Sequence, residues 1–347
     1  MFRASSRGVV AIALMFLVSA CGGGGQPSSS AAASGGGNGA GEKIIYFGSG
    51  SVPGSPEDYL VPLFITARKT LEDKGYTFSY SPLSNDEVVE AAVDRGRIDV
   101  ALLSLVGAER ALKAGLKMKW VLTNETQNTF VLVVHKDVTD LKQLKGKKIG
   151  AQDATSLSTA AIPGIMGPAG LTLDDYTISY LAGSGNRASA LESGSLDASM
   201  LLNTIAQQLI KKSNGEFKIW GQGASSGTPM MWEGFVMSDA FRGTQAAKDF
   251  VAAMLDAYQK FYDEGDPAAL AKEAVGIDEL AGLEEESAAQ DLQLYKDIKL
   301  FPTDGGLSKD LFTPMIDTLI SVKQLTQDQV VPYEDVVDTS LVDAAKK

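Results

Sequence analysis

The chain has 347 residues with 31 basic and 43 acidic side chains, a formal net charge of −12, one cysteine and one histidine. No basic block offers phosphate a surface, which excludes nucleic acid as a partner. Single Cys and His residues exclude a disulfide framework and multi-thiolate or multi-histidine metal sites, so no metal or cofactor is expected. At about 150 residues per domain, the length calls for two compact units.

Residues 1–20 read as an export signal. Arg3 and Arg7 precede an apolar run at 9–18 that is too short for a membrane span, which needs about 20 residues. Val18-Ser19-Ala20-Cys21 resembles the lipobox of bacterial lipoproteins. The resemblance implies a lipid on Cys21 and cleavage before it. Residues 21–41 are Gly, Ser and Ala-rich and uncharged, with nothing to offset ordering entropy by burial, so they are expected to be a disordered tether. A 20-residue coil of this kind reaches about 25 Å. These segments predict an exported protein held to the outer face of the cytoplasmic membrane.

From residue 42 the chain reads as alternating strands and helices. A strand at 43–47 leads into the turn Gly48-Ser49-Gly50-Ser51 and a capping-box-like start at Ser55-Pro56-Glu57-Asp58. Leu60, Leu63, Phe64, Ala67 and Leu71 then repeat at helical spacing. A β-rich pentapeptide at 76–80 follows, then a helix with Asn85 as its N-cap and Gly96 as its stop, then a buried strand after Asp99 that ends at Ser104.

The same order recurs downstream. Residues 176–180, Tyr-Thr-Ile-Ser-Tyr, repeat 76–80, Tyr-Thr-Phe-Ser-Tyr, and 190–201 repeat 92–103. The second copy opens with a strand at 147–151 and the turn Asp153-Ala154-Thr155-Ser156, takes Asn186 as helix cap and Gly194 as stop, and ends in a strand that runs from Asp197 to Asn203. Two blocks in one order predict two similar lobes of parallel α/β type. Asp99 and Asp197, at equivalent positions, read as turn and cap residues. His135 reads as a surface residue at a strand end, and Glu284-Glu285-Glu286 as a solvated helix face. Gly183-Ser184-Gly185 is too short for a phosphate loop. Residues 239–264 form one long helical stretch, and crossovers between lobes are expected near 125–130 and 229–234.

The block 141–150, Leu-Lys-Gln-Leu-Lys-Gly-Lys-Lys-Ile-Gly, the Thr155-Ser156 turn, Gly170-Leu171 with Tyr176, and Glu-Ser-Gly-Ser-Leu-Asp-Ala at 192–198 resemble the solute-binding lipoproteins of ABC importers. The type is the one that handles sulfonates, taurine, nitrate and thiamine-precursor pyrimidines. The resemblance spans 43 to about 340. It implies an α/β fold of periplasmic-binding-protein type II: two lobes joined by two crossover strands with a ligand cleft between them. Lobe one is then 42–126 plus 232–347, and lobe two 127–231. It also implies a membrane permease and its ATPase as partners, a monomeric binding protein, and no catalysis.

The cleft is expected where strand ends and helix starts face each other. Lobe one offers Ser49, Gly50, Ser51 and Ser104; lobe two offers Thr155, Ser156 and Asn203. Free N–H groups and hydroxyls at such turns suit a small organic anion, and sequence leans slightly that way. Trp232 and Glu233 at the second crossover are the other candidates, the indole for a ring or alkyl chain and the carboxylate for an amine or amide donor. Lys and Arg are sparse in these loops, Arg187 lying near one of them. The alternatives are a tethered sensor without transport and a pyrimidine-synthase-like enzyme, for which one His and one lipidated Cys supply no nucleophile-base pair.

Overall fold

The computed structural model describes residues 43–50, 57–83, 85–220 and 230–347. Cys21 and the segments expected to be a signal and a tether, Ser51 and the helix start expected at Ser55-Pro56 lie outside the described residues. Residues 42–347 form one compact unit with two five-stranded sheets.

The first sheet has the order β2-β1-β3-β10-β4, from β1 (Lys43–Ser49), β2 (Tyr76–Pro82), β3 (Val100–Ser104), β4 (Met118–Glu125) and β10 (Glu233–Ser238). The second has the order β7-β6-β8-β5-β9, from β5 (Phe130–His135), β6 (Lys148–Ala151), β7 (Thr177–Tyr180), β8 (Ala198–Leu202) and β9 (Phe217–Ile219). In each sheet the repeated block supplies three parallel strands, and one antiparallel strand joins the third of them. That antiparallel strand is β10 in the first sheet and β5 in the second. Each is the strand the chain forms directly after crossing from the other lobe.

The repeat is visible in single bonds. Asp99 Oδ2 accepts from Tyr46 N at 3.0 Å, and Asp197 Oδ2 accepts from Lys148 N at 2.9 Å. Each aspartate satisfies a first-strand N–H at the edge of the ladder, just outside the paired residues.

The helices are α1 (Arg68–Asp73), α2 (Asp86–Asp94), α3 (Leu105–Lys113), α4 (Leu157–Ala160), α5 (Ile162–Met166), α6 (Ser184–Glu192), α7 (Asn203–Lys212), α8 (Asp239–Arg242), α9 (Gln245–Asp263), α10 (Pro267–Ala274), α11 (Glu285–Ile298), α12 (Lys309–Ser321), α13 (Tyr333–Val336) and α14 (Ser340–Ala345). Asn85 caps α2 by accepting from Val88 N at 3.0 Å. Asn186 does not repeat that role. It lies inside α6, whose N-cap is Gly183, and its Nδ2 donates back to Ala182 O. Glycine takes the cap because the chain turns there at φ +83°, a region costly for any residue with a Cβ. The stretch 239–264 is two helices, because Ser238 and Thr244 each cap a new start. Ahead of α1 the chain forms a 3-10 turn (Asp58–Leu60) and a π-helical stretch (Pro62–Ala67). Leu60, Leu63, Phe64, Ala67 and Leu71 are all buried there. The largest core packs both faces of the first sheet and includes Phe47, Trp120, Phe235 and Phe250; two smaller clusters flank the second sheet.

Candidate functional site

A cavity of about 830 Å³ opens where the two sheets present their strand ends, walled by residues of both lobes and of α11. Of the sequence candidates, Gly50, Ser104, Thr155, Ser156, Trp232 and Glu233 border it. Ser49 does not: it is 1% exposed, and its hydroxyl lies 2.7 Å from Tyr80 Oη and 3.5 Å from Glu57 Oε1. Asn203 stands behind the wall, with Nδ2 3.4 Å from Asp291 Oδ1. Arg187 is fully buried and spends its donors on the fold. Nε bonds Met200 O, Nη1 bonds Leu181 O and Nη2 bonds Ser184 Oγ, each at 2.9 Å. Burial lowers its pKa to about 10, which leaves it protonated at neutral pH, tying α6 to the middle of β8 and to the residue after β7.

The turns read as anion acceptors hold carboxylates of the protein itself. Ser104 caps α3 by accepting from Gly107 N at 3.0 Å, and its hydroxyl donates to Asp86 Oδ2 at 2.6 Å. A Cβ added at Gly107 would meet that oxygen at 2.6 Å, and one added at Gly50 would meet Asp86 Oδ1 at 2.7 Å. Both glycines are therefore needed for the carboxylate to sit at the helix start, where the positive end of the dipole favours it. In lobe two, Asp153 Oδ1 accepts from Thr155 N at 2.8 Å and from Thr155 Oγ1 at 3.0 Å.

Further carboxylates face the cavity, and sequence reading passed over most of them. Asp58 accepts from Tyr295 Oη at 2.7 Å and is hydrogen-bonded to Asp291. Two carboxylates in contact must share a proton. Burial, then the Asp58 charge, raises Asp291 to about 9, and burial raises Asp58 too, so the pair holds one proton at neutral pH. Glu125 closes β4 and is 4% exposed. Its carboxylate accepts no hydrogen bond among the described residues, and burial, then Asp58, pushes it up to about 8. Glu233 is its partner in the β10–β4 register and is raised well above the usual range by burial and then by Glu125, Asp86 and Glu57. Behind them Glu57 accepts from Tyr80 Oη at 2.5 Å and Tyr59 Oη at 3.0 Å. Among the described residues the one basic residue on the wall is Arg110, whose charge acts on Asp86 and on Glu90. Two unit charges about 5 Å apart interact by about 3 kcal/mol at an effective permittivity of about 20, so a ligand's charge is decisive here.

Asp291 left a trace in the sequence. It shares the buried face of α11 with Ala288, Leu292 and Tyr295, an acid where the period calls for an apolar residue. Asp58 and Glu125 gave a weaker signal, since one follows a helix start and the other ends an apolar strand.

Among the described residues no helix is long and apolar enough to cross a membrane, and no group of three or more His, Cys, Asp and Glu is placed to hold a metal ion. Residues 64–271 match the family described as ABC transporter, phosphonate, periplasmic substrate-binding protein. No curated protein matches the chain. Among solved structures it is similar to the putative periplasmic sulfonate-binding protein SsuA of Methylobacillus flagellatus KT, at 16% identity and TM-score 0.67 over 88% of this chain and 94% of that one. The periplasmic aliphatic sulphonate binding protein SsuA of Escherichia coli aligns at 17% identity and TM-score 0.63, over 86% and 94%. The periplasmic nitrate-binding protein NrtA of Synechocystis PCC 6803 aligns at 12% identity and TM-score 0.63, over 88% of both.

Proposed function

Because this chain belongs to the phosphonate family of ABC-transporter periplasmic substrate-binding proteins, we propose that it captures one small organic solute between its lobes and delivers it to a membrane permease powered by a separate ATPase. The observation that carries this reading is the cavity itself: about 830 Å³, bordered by both lobes, at the ends of the strands next to the crossovers. A solute that touches both walls favours the closed arrangement by its differential affinity for it, and closure becomes the signal a permease reads. The solutes the sequence points to are a sulfonate, another small organic anion or a pyrimidine-like compound, all of a size the cavity holds.

The test is to expose the purified protein to small-molecule extract of its own growth medium and follow it by native mass spectrometry and small-angle scattering. We expect a one-to-one adduct together with a smaller radius of gyration. An unchanged mass and an unchanged radius would sink the reading.

The order of basic, apolar and small residues before Cys21 supports a lipid anchor, with the Gly and Ser-rich segment as its tether. Detergent phase partition checks this. Wild type is expected in the detergent phase and Cys21→Ser in the aqueous phase; equal partition of the two would remove the anchor from the proposal.

A further inference from the structure

If the cavity is the solute site, its charge pattern selects among solutes. We infer that the solute is an organic cation whose protonated nitrogen seats against Asp58, Glu125 and Asp291, a step that rests on the solute-binding reading above.

Among the described residues, the places an anion would take are already filled. Asp86 occupies the start of α3 through Ser104, and Asp153 takes the donors of the Thr155 turn. The charge of Arg110 already acts on Asp86 and Glu90. The loops outside the described residues, 51–56, 84 and 221–229, contain no charged side chain.

The places a cation would take are open. Glu125 is almost wholly buried, borders the cavity and accepts no hydrogen bond among the described residues. Its neighbour across the strands is another acid, Glu233, and no hydrogen bond joins the two among the described residues. A buried carboxylate without a donor is costly, and a ligand N–H group removes that cost with a charge-assisted bond. The proton shared by Asp58 and Asp291 stands where a second N–H would, and an ammonium arriving there displaces it to solvent. Tyr59, Trp232 and Tyr295 border the same cavity, and aromatic faces hold cations. With no metal-holding arrangement among the described residues, an organic cation fits better than a metal ion.

Isothermal titration of the full chain in detergent at pH 8, with 1,4-diaminobutane and agmatine as one set and methylphosphonate, ethanesulfonate and nitrate as the other, tests this. We expect the cations to bind and the anions not to, with proton release that shows as a dependence on buffer ionisation heat. Glu125→Gln and Asp291→Asn should each weaken the cation about tenfold or more. Binding of the anions alone would overturn the cation assignment and leave the solute site standing. Binding of neither set would overturn the cation assignment, and the solute-binding reading would then stand or fall on the adduct and the radius of gyration. Cation binding untouched by either substitution would overturn the seating, with thermal unfolding of each variant establishing that it is folded.

Discussion

Glu125 has an effect on the empty protein that its neighbours make measurable. Its carboxyl titrates near 8 in the fold against 4.5 as a free side chain, raised first by burial and then by Asp58. The folded state therefore keeps a proton the unfolded chain has lost. This contribution to stability is full below the unfolded value and disappears as pH climbs through the folded one. Asp291, raised to about 9, acts in the same direction. Thermal unfolding of the unliganded protein should thus show a midpoint that falls between about pH 5 and pH 9. Glu125→Gln, which cannot ionise, should fall less and be the more stable chain at the alkaline end. A variant that tracks wild type at every pH would show that Glu125 is not proton-bound in the fold.

Among the elements, β10 is the one on which the site most depends. It carries Glu233 at its first residue and joins β3 to β4 by antiparallel pairing on both sides. Its second residue, Gly234, lies under Trp120: an added Cβ would meet Cζ2 at 2.3 Å and Leu122 O at 2.6 Å. Trp120 cannot yield, because Nε1 bonds Thr123 Oγ1, which in turn bonds Gly306 O. Gly234→Ala is expected to cost about 1–3 kcal/mol by overpacking, read as a lowered denaturant midpoint. A midpoint within error of wild type would mean that the sheet gives way more easily than this packing implies. Local elements of this kind were legible in part. The Gly stops and the Asn85 cap announce themselves because a single residue dictates local backbone geometry. The Gly183 cap in place of Asn186 did not, because either residue can begin a helix and only the sheet edge decides which one does.

At the scale of the whole molecule, the duplication was legible because each lobe must solve the same strand-helix-strand problem and does so with the same residues, down to Asp99 and Asp197. The candidate site was legible only as a location. Its turns follow from the α/β repeat, and Gly50, Ser104, Thr155, Ser156, Trp232 and Glu233 do border the cavity. Beyond Glu233 its charge was hidden, because Asp58, Glu125 and Asp291 come from three separate stretches and no spacing along the chain links them. Asp58 and Asp291 meet only where α11 packs on the turn before α1.

The position of β10 also governs how the protein is made. Strands β5 to β9 are contiguous along the chain, so the second sheet has all its strands once residue 219 has emerged. The first sheet has no such freedom, since β3 and β4 are joined only through β10 and stay unpaired to each other until residues 233–238 arrive. During synthesis and export the later lobe is complete before the earlier one. The nascent chain must meanwhile carry two exposed strand edges rich in Val and Leu, the kind of surface that a chaperone outside the membrane would need to shield from self-association.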